Sequence, residues 1–519
     1  MSRQTSPSIV AIERFIQATR DSGYKSTPSA LAELVDNSLQ ASACAIAITI
    51  TPCDAPGSTF NVDILDDGEG MDATALAEAL RFGGSARFND RRGLGRYGMG
   101  LPNSSLSQAR RVEVYTWRED DDSPLMSYLD VDEVAAGALT HIPTPARVGW
   151  PEVIAAADAR ASSGTLIRWT RCDRLDNRRL STLERKLHDA LGQTFRYFIT
   201  EGVALTINGH QVRPVDPMFL MEEASLSGAE VFGAPLEFEV RAPDSDEVGL
   251  VTVTFAVLPV FAWHTMSNQE KRARGIVKGA GVAIVRGMRE VDYGWFFMGS
   301  KRRENYDDWW RCEVRFDPVL DEAFGITHTK QQIRPTEYVR ELLTPEMELI
   351  GRALNSRVRD AHAHIKARAR FAASERRAAS LEARLPPPIA SSGEADVALL
   401  ARLGEAHPDL ADGALELSRI TYRLVEDEHA QSAPEAIFSS VWHDRRLLLA
   451  LNPQHPFYKQ LYGPLADADA EESQALRSKL ELILMASARA ELSMSDEERA
   501  TIQRHRALWG QLLATFFNG

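Results

Sequence analysis

The chain has 519 residues, of which 44% are hydrophobic and 25% charged, and its formal net charge is −14. This length predicts two to four domains, and the acidic total argues against a protein that coats nucleic acid over its whole surface, although it leaves a local basic site open. The four cysteines lack metal-binding spacing, and the N-terminus lacks a signal-peptide core. We therefore expect a protein of the reduced cytoplasm without a membrane span.

The first informative segment is E-L-V-D-N-S-L-Q, which begins at Glu33. An amphipathic helix is predicted over residues 30–43, because Leu31 and Leu34 belong to an apolar stripe at helical spacing. Glu33 and Asn37 are four residues apart and project from one face, one turn from each other. A carboxylate beside a carboxamide suits a water-activating base next to an oxygen ligand for Mg²⁺. A solvated polar helix face would carry the same residue types.

The second segment, D-D-G-E-G-M, follows residues 60–65, whose alternation predicts a strand. Asp66 stands at the end of that strand and can accept a hydrogen bond from an exocyclic amine such as adenine N6. Gly68 and Gly70 permit positive φ and the close approach of a flat ligand, and Met71 supplies a soft apolar wall. The alternative is an ordinary glycine-rich turn.

A third, glycine-rich segment predicts a phosphate site. It starts at F-G-G-S and ends in G-R-Y-G-M-G-L before a helical stretch. Consecutive backbone N–H groups in such a segment can converge on phosphate oxygens, and the next helix offers its positive end. No G-K-[S/T] follows the glycines, so it is not a P-loop, and a lid over a triphosphate fits better. The candidate residues are Gly84, Ser85, Gly95, Arg96, Tyr97, Gly98, Met99, Gly100 and Leu101.

In this order the three segments resemble the ATP site of the GHKL superfamily, the Bergerat fold. That superfamily includes DNA gyrase B, the ninety-kilodalton heat-shock chaperones, MutL, the MORC ATPases and the sensor histidine kinases. The resemblance covers at least residues 8–340. It implies that the chain binds ATP and Mg²⁺, with Glu33 as the general base, Asn37 as the Mg²⁺ ligand and Asp66 as the adenine anchor.

The resemblance also assigns the remaining site residues. Gly68, Gly70 and Met71 would line the adenine base. The threonine of S-S-G-T-L-I-R-W, Thr165, would back the adenine aspartate. Gln40 is a departure, since many relatives carry an aspartate there. Residues implied to wrap the phosphates are Gly95, Tyr97, Gly98, Met99, Gly100 and Leu101, with Arg96, Lys301, Arg302 and Arg303 as weaker candidates for phosphate contact.

The resemblance narrows to one part of the superfamily. Sensor histidine kinases place a phospho-accepting histidine before the ATP domain, and no histidine precedes Glu33. Gyrase, MutL, MORC and the chaperones instead carry a second α/β domain whose loop lysine reaches the γ-phosphate. The motif T-H-T-K-Q-Q is close to the corresponding MORC loop and implies that role for Lys330.

These observations predict an α+β chain of several parts. An α/β sandwich ATPase domain over 1–195 is followed by a transducer domain of the ribosomal-protein-S5 type over 196–340, in which residues 203–207 and the following N-G-H-Q-V form strand, turn and strand. The remaining parts are a basic helical segment over 341–384, a linker over 385–396 and a mostly helical region over 397–519, with a buried strand at 445–452 and helices at 472–493 and 496–517.

The predicted activity is slow hydrolysis of ATP to ADP and phosphate. By analogy with the family, ATP would drive an N-terminal homodimer that closes as a clamp, acting on DNA in bacterial defence or repair. The basic residues of 268–278 and of the helical stretch 340–384 favour this interpretation. The alternative is a chaperone-like or scaffolding ATP switch that acts on protein clients, which the acidic total favours.

Overall fold

The structure is a computed structural model that describes residues 11–24, 26–53, 58–84, 99–155, 161–243, 247–326, 332–386, 399–401, 403, 421–427, 435–443, 446–467 and 470–518. The chain divides into two compact units, residues 1–259 with 265–355 and residues 260–264 with 356–519. It is a mixed α+β protein, as the sequence predicted. No helix of the described part is long and apolar enough to cross a membrane.

The first unit contains an eight-stranded sheet in the order β5-β4-β3-β6-β2-β1-β7-β8. The central strand β2 pairs antiparallel with β1 on one side and with β6 on the other. These three strands place the segment that follows β2 in the middle of the sheet edge. The strands are β1 (Ala45–Pro52), β2 (Phe60–Asp66), β3 (Ala109–Trp117), β4 (Leu125–Asp130), β5 (Ala146–Arg147), β6 (Gly164–Cys172), β7 (Ala204–Ile207) and β8 (His210–Gln211).

Helices pack on this sheet around an apolar core in which Leu31, Leu34 and Trp169 are fully or almost fully buried. Their bounds are α1 (Ile12–Ser22), α2 (Thr27–Gln40), α3 (Ala73–Leu80), α4 (Gly100–Gln108), α5 (Val131–Ala135), α6 (Glu152–Ala155), α7 (Leu180–Thr194) and α8 (Arg196–Thr200). The helix predicted over 30–43 is thus displaced by three residues. Its start is set by Ser26, whose hydroxyl accepts from the backbone N–H of Ser29.

The structure corrects the assignment of the strand-turn-strand segment to the second domain. Strand β7 pairs in parallel with β1, with Ala45 opposite Ala204, so β7 and β8 extend the first sheet. The physical reason is that β1 would otherwise present an unpaired edge at this end of the sheet. Local alternation predicts a strand but does not say which edge it completes.

A second, six-stranded sheet also lies in the first unit, with the order β10-β11-β14-β12-β13 and β9 paired to β11. Its strands are β9 (Glu230–Val231), β10 (Leu236–Arg241), β11 (Val248–Val257), β12 (Val282–Arg286), β13 (Arg289–Gly294) and β14 (Trp310–Phe316). Helix α9 (Val260–Trp263) and helix α10 (Asn268–Ala273) lie between β11 and β12 in the chain. The segment 268–278, predicted as a loop, therefore begins as a helix, capped by Ser267.

Helix α11 (Glu337–Leu381) contains most of the predicted basic segment, and a 3₁₀ turn (Glu382–Arg384) follows it. The second unit is not purely helical, because β15 (Thr421–Glu426), β17 (Arg446–Leu451) and β16 (Phe438–His443) form a three-stranded sheet in that order. Only β17 was predicted. The π-helix Tyr458–Tyr462 and helices α12 (Gly463–Asp467), α13 (Glu471–Glu491) and α14 (Asp496–Asn518) complete the described unit.

Candidate functional site

Asp66 ends strand β2 and is 6% exposed. Its Oδ2 accepts from the hydroxyl of Ser38 at 2.8 Å, while its Oδ1 accepts from the backbone N–H groups of Gly68 at 3.0 Å and Thr165 at 3.2 Å. Burial raises the pKa of Asp66 above its ordinary value, although these hydrogen bonds act in the opposite direction. The carboxylate is held rigidly, and a carboxylate has about four acceptor positions, so one remains for a ligand donor.

The two glycines after Asp66 are required by close contacts. Gly70 has φ of +66°, and a Cβ atom there would lie 2.0 Å from the carbonyl oxygen of Trp117. A Cβ on Gly68 would lie 2.8 Å from the carbonyl oxygen of Ala41. Side chains at these two positions would force the backbone to shift. The segment therefore lies flat against its neighbours.

Two threonines on neighbouring strands hold the segment that follows Asp66. The hydroxyl of Thr116 accepts from the backbone N–H of Met71 at 2.8 Å and lies 3.2 Å from the hydroxyl of Thr165. Thr165, implied to back Asp66, contacts that carboxylate through its backbone N–H. The second segment is thus tied to both β3 and β6.

The structure also brings the first and third segments together. Glu33 is 4% exposed, and its carboxylate lies against Gly100, the first residue of α4, where a Cβ atom would be 2.2 Å from Glu33 Oε1. Tyr24 lies beside the same carboxylate. Burial, followed by the negative charge of Glu33, raises the pKa of Tyr24 well above its ordinary value. Glu33 is therefore buried next to the start of a helix, which favours a negative charge.

Asn37 lies one turn after Glu33 and is partly exposed, and within the described part of the chain its carboxamide makes no hydrogen bond. Its oxygen is thus available to a hard cation. Gln40, the departure from the family pattern, has a buried Nε2 without a partner among the described residues. No group of three or more His, Cys, Asp or Glu residues suited to a metal ion occurs in the described ranges.

The phosphate segment is described only in part. Gly84 is buried after α3, Met99 precedes α4, and Leu101 lies buried in its first turn. Ser85, Gly95, Arg96, Tyr97, Gly98 and Lys330 lie outside the described residues.

The three candidates for phosphate contact at residues 301–303 differ from one another in burial. Lys301 is buried and paired with Asp307 at 2.5 Å, below the rings of Trp295 and Trp310. This position makes Lys301 part of the second sheet's core, and the suggested phosphate role is wrong for it. Arg302 and Arg303 are exposed.

Sequence reasoning missed three residues that support the site. Ser38 binds Asp66, Thr116 binds the Met71 backbone, and Tyr24 packs beside Glu33. Ser38 could have been found, because it directly follows Asn37 and lies one turn after Leu34 on the apolar side of α2. Thr116 and Tyr24 lie in ordinary strand and turn sequence, which offers no comparable signal.

Comparison with known proteins agrees with this geometry. Residues 24–158 match the family described as histidine kinase-, DNA gyrase B-, and HSP90-like ATPase. The chain is 38% identical over 92 residues to ATPase MORC2A from Mus musculus and to ATPase MORC2 from Homo sapiens. The aligned segment covers 18% of this chain and only 9% of each relative. Residues 24–158 are therefore similar to the GHKL ATPases, and the 92-residue segment is similar to the MORC ATPases.

Proposed function

We propose that the chain binds ATP and hydrolyses it slowly to ADP and phosphate. The observation that carries this proposal is the buried Asp66 carboxylate, which Ser38, Gly68 and Thr165 fix at the end of β2 with one acceptor position left for a ligand donor. An adenine amine would donate to Asp66, and Met71 would border the ring. The family match over residues 24–158 supports the same ligand.

The residues present also fit a magnesium ion, since Asn37 offers an uncommitted oxygen one turn from Glu33. When bound, Mg²⁺ would neutralise charge on the phosphate oxygens. The role of Glu33 is to orient a water molecule and accept its proton. Its burial beside the start of α4 keeps the carboxylate in one place, which suits a general base.

The proposed activity is tested with Glu33→Ala. Loss of a general base lowers turnover by about 10²–10⁴-fold, while ATP affinity should change little because adenine binding depends on Asp66. Turnover is measured by phosphate release and affinity by calorimetry. The matched control is Glu69→Ala, which removes an exposed carboxylate between Gly68 and Gly70. Parent-like turnover in Glu33→Ala would show that this carboxylate is not the base.

We further propose that ATP closes the chain into a homodimeric clamp, with Lys330 reaching the γ-phosphate. The support is the resemblance of its loop to that of MORC ATPases. Lys330→Ala should slow hydrolysis and abolish compaction or dimerisation with a non-hydrolysable ATP analogue, while ADP affinity stays nearly unchanged, because only the γ-phosphate contact is lost. Small-angle scattering with the analogue and with ADP measures this. If Lys330→Ala closes as the parent does, the proposed role of Lys330 in ATP-driven closure is wrong.

DNA is the partner that the second sheet's surface favours. Arg272 is exposed in the last turn of α10, and Arg274 and Lys278 are exposed between α10 and β12. Their backbone is braced, because Arg311 donates to the carbonyl of Gly275 at 2.7 Å and the Lys278 N–H donates to Asp308 at 3.0 Å. A braced cluster of cations suits a phosphate backbone.

The alternative partner is a protein client, which the net charge of −14 favours. Titration of duplex DNA at several salt concentrations, with and without the ATP analogue, separates the two. Binding that weakens steeply with salt supports DNA, and no binding in either nucleotide state supports the client. A reduced cytoplasm is the proposed setting, since all four cysteines, each in the described part, are free thiols.

A further inference from the structure

An ion pair joins the second sheet to the helix that carries the proposed base. Arg289, the first residue of β13, donates from Nε to Asp36 Oδ1 at 2.9 Å. Asp36 is fully buried and Arg289 is 4% exposed. A buried pair of this kind is a poor source of stability, because both charges lose their hydration. Its presence therefore calls for another explanation.

The start of β13, which carries Arg289, is held firmly by contacts of the next residue. The next residue, Glu290, accepts from Gln193 at 2.5 Å and is ion-paired to Arg196. Arg196 also donates to Glu313 on β14 at 2.8 Å. The start of β13 is therefore fixed to α7, α8 and β14, and Arg289 cannot move without the hairpin that carries it.

Asp36 lies on α2 between the proposed base and the proposed magnesium ligand. It lies directly before Asn37 and about one turn after Glu33, within the buried part of the helix. Tyr24 connects these groups, since Glu33 and Asp36 raise its pKa after burial does, while the positive charge of Arg289 acts in the opposite direction. The carboxylate of the base and the Arg289–Asp36 pair thus belong to one buried cluster.

We propose that Arg289 is a positioning residue of the ATPase site, by which the second sheet holds Asp36 and so sets the orientation of Glu33. This inference rests on the proposed function, because it needs Glu33 to act on water. Arg289 acts through α2 and has no assigned contact with the nucleotide. Its removal should therefore change turnover and leave nucleotide binding nearly unchanged.

The test is the double variant Asp36→Asn with Arg289→Met, which removes both charges and leaves neither buried alone. We expect kcat to fall by at least about 10-fold, because a misplacement of roughly 1 Å in a catalytic group can cost about 10²-fold. KM and the calorimetric ATP affinity should stay within about threefold, well below that loss. Arg289→Lys, which keeps the positive charge, should recover most of the turnover.

The matched control uses the same hairpin. Arg286 lies opposite Arg289 in the β12–β13 register and pairs at 2.6 Å with Asp321, which follows β14 of the second sheet. Arg286→Met with Asp321→Asn removes an Arg–Asp pair whose carboxylate follows β14 rather than belonging to α2. Its kcat should remain that of the parent. An equal loss of kcat in this control would overturn the inference, because any damage to the hairpin would then suffice.

Glu33→Ala is measured in parallel, so that failure of the inference can be distinguished from failure of the proposed function. If Glu33→Ala is inactive and the Asp36→Asn, Arg289→Met variant turns over like the parent, the inference is overturned and the proposed function stands. If Glu33→Ala itself turns over like the parent, both are overturned. Should the double variant fail to fold by circular dichroism, Arg289→Gln decides, because it removes the positive charge and keeps a hydrogen-bond donor for Asp36. A lower kcat with unchanged KM supports the inference, and a parent-like kcat overturns it.

Discussion

Two carboxylates, one in each unit, are buried to a similar extent but have different surroundings. Asp66 ends a strand in the first unit, and Glu481 lies within α13 of the second unit and is fully buried. Glu481 accepts from the hydroxyls of Ser374 and Tyr462 and pairs with Arg477 at 3.3 Å. Burial raises the pKa of both carboxyl groups above their ordinary values.

Burial and a raised pKa therefore do not identify a functional site by themselves. The difference lies in what surrounds each carboxylate. Glu481 is enclosed by large side chains of its own unit. Asp66 is followed by Gly68 and Gly70, where even a Cβ atom would collide with backbone. Asp66 keeps one acceptor position for a ligand donor, whereas Glu481 is committed to internal partners.

Gly100→Ala is expected to cause the largest loss of turnover, because it displaces the Glu33 carboxylate of the candidate site. The added Cβ would lie 2.2 Å from Glu33 Oε1, the far end of a flexible side chain, so the carboxylate rather than the fold must give way. We expect turnover to fall by about 10²-fold, with the melting temperature nearly unchanged. Phosphate release and thermal melts check this result.

Gly149→Ala is the matched control for that variant. A Cβ at Gly149 meets open space, and its backbone does not require glycine. The control should turn over and melt like the parent. Parent-like turnover in Gly100→Ala would contradict the placement of Glu33 against the start of α4.

A smaller effect, confined to stability, is expected from Glu481→Ala. The change leaves the buried Tyr462 hydroxyl without its acceptor and Arg477 without its ion-pair partner, while Ser374 can still donate to the carbonyl of Phe371. These losses should lower the free energy of unfolding by about 2–3 kcal/mol. ATP affinity and turnover of the folded protein should equal those of the parent. Denaturant unfolding with a nucleotide titration measures both. Loss of ATP binding in the folded variant would contradict the purely structural role given to Glu481.

The local parts of the site could be predicted from the sequence. Glu33 and Asn37 are presented by one predicted helix, and Asp66 follows a predicted strand, because helical spacing and alternation are short-range signals. The three-residue displacement of α2 does not change the spacing of Glu33 and Asn37 on that helix. The family resemblance supplied the order in which these pieces belong together.

Long-range partnerships could not be predicted in this way. Arg289 meets Asp36 across 253 positions of sequence, and no local pattern marks either residue. The same limit explains β7 and β8, whose alternation was recognised but whose sheet was not. In the second unit, β15 and β16 gain their stability from pairing with β17, so their own sequences carry a weak signal.

The central claim, that Asp66 anchors the nucleotide, is tested most directly by calorimetric titration of ATP into Asp66→Asn and the parent. The amide keeps an oxygen for the N–H groups of Gly68 and Thr165, and its NH₂ can donate to Ser38, so the fold should persist. What is lost is the acceptor for the adenine amine. The account predicts affinity about 10–100-fold weaker, the worth of a hydrogen bond to a charged group. Equal affinity in a folded Asp66→Asn variant would contradict it.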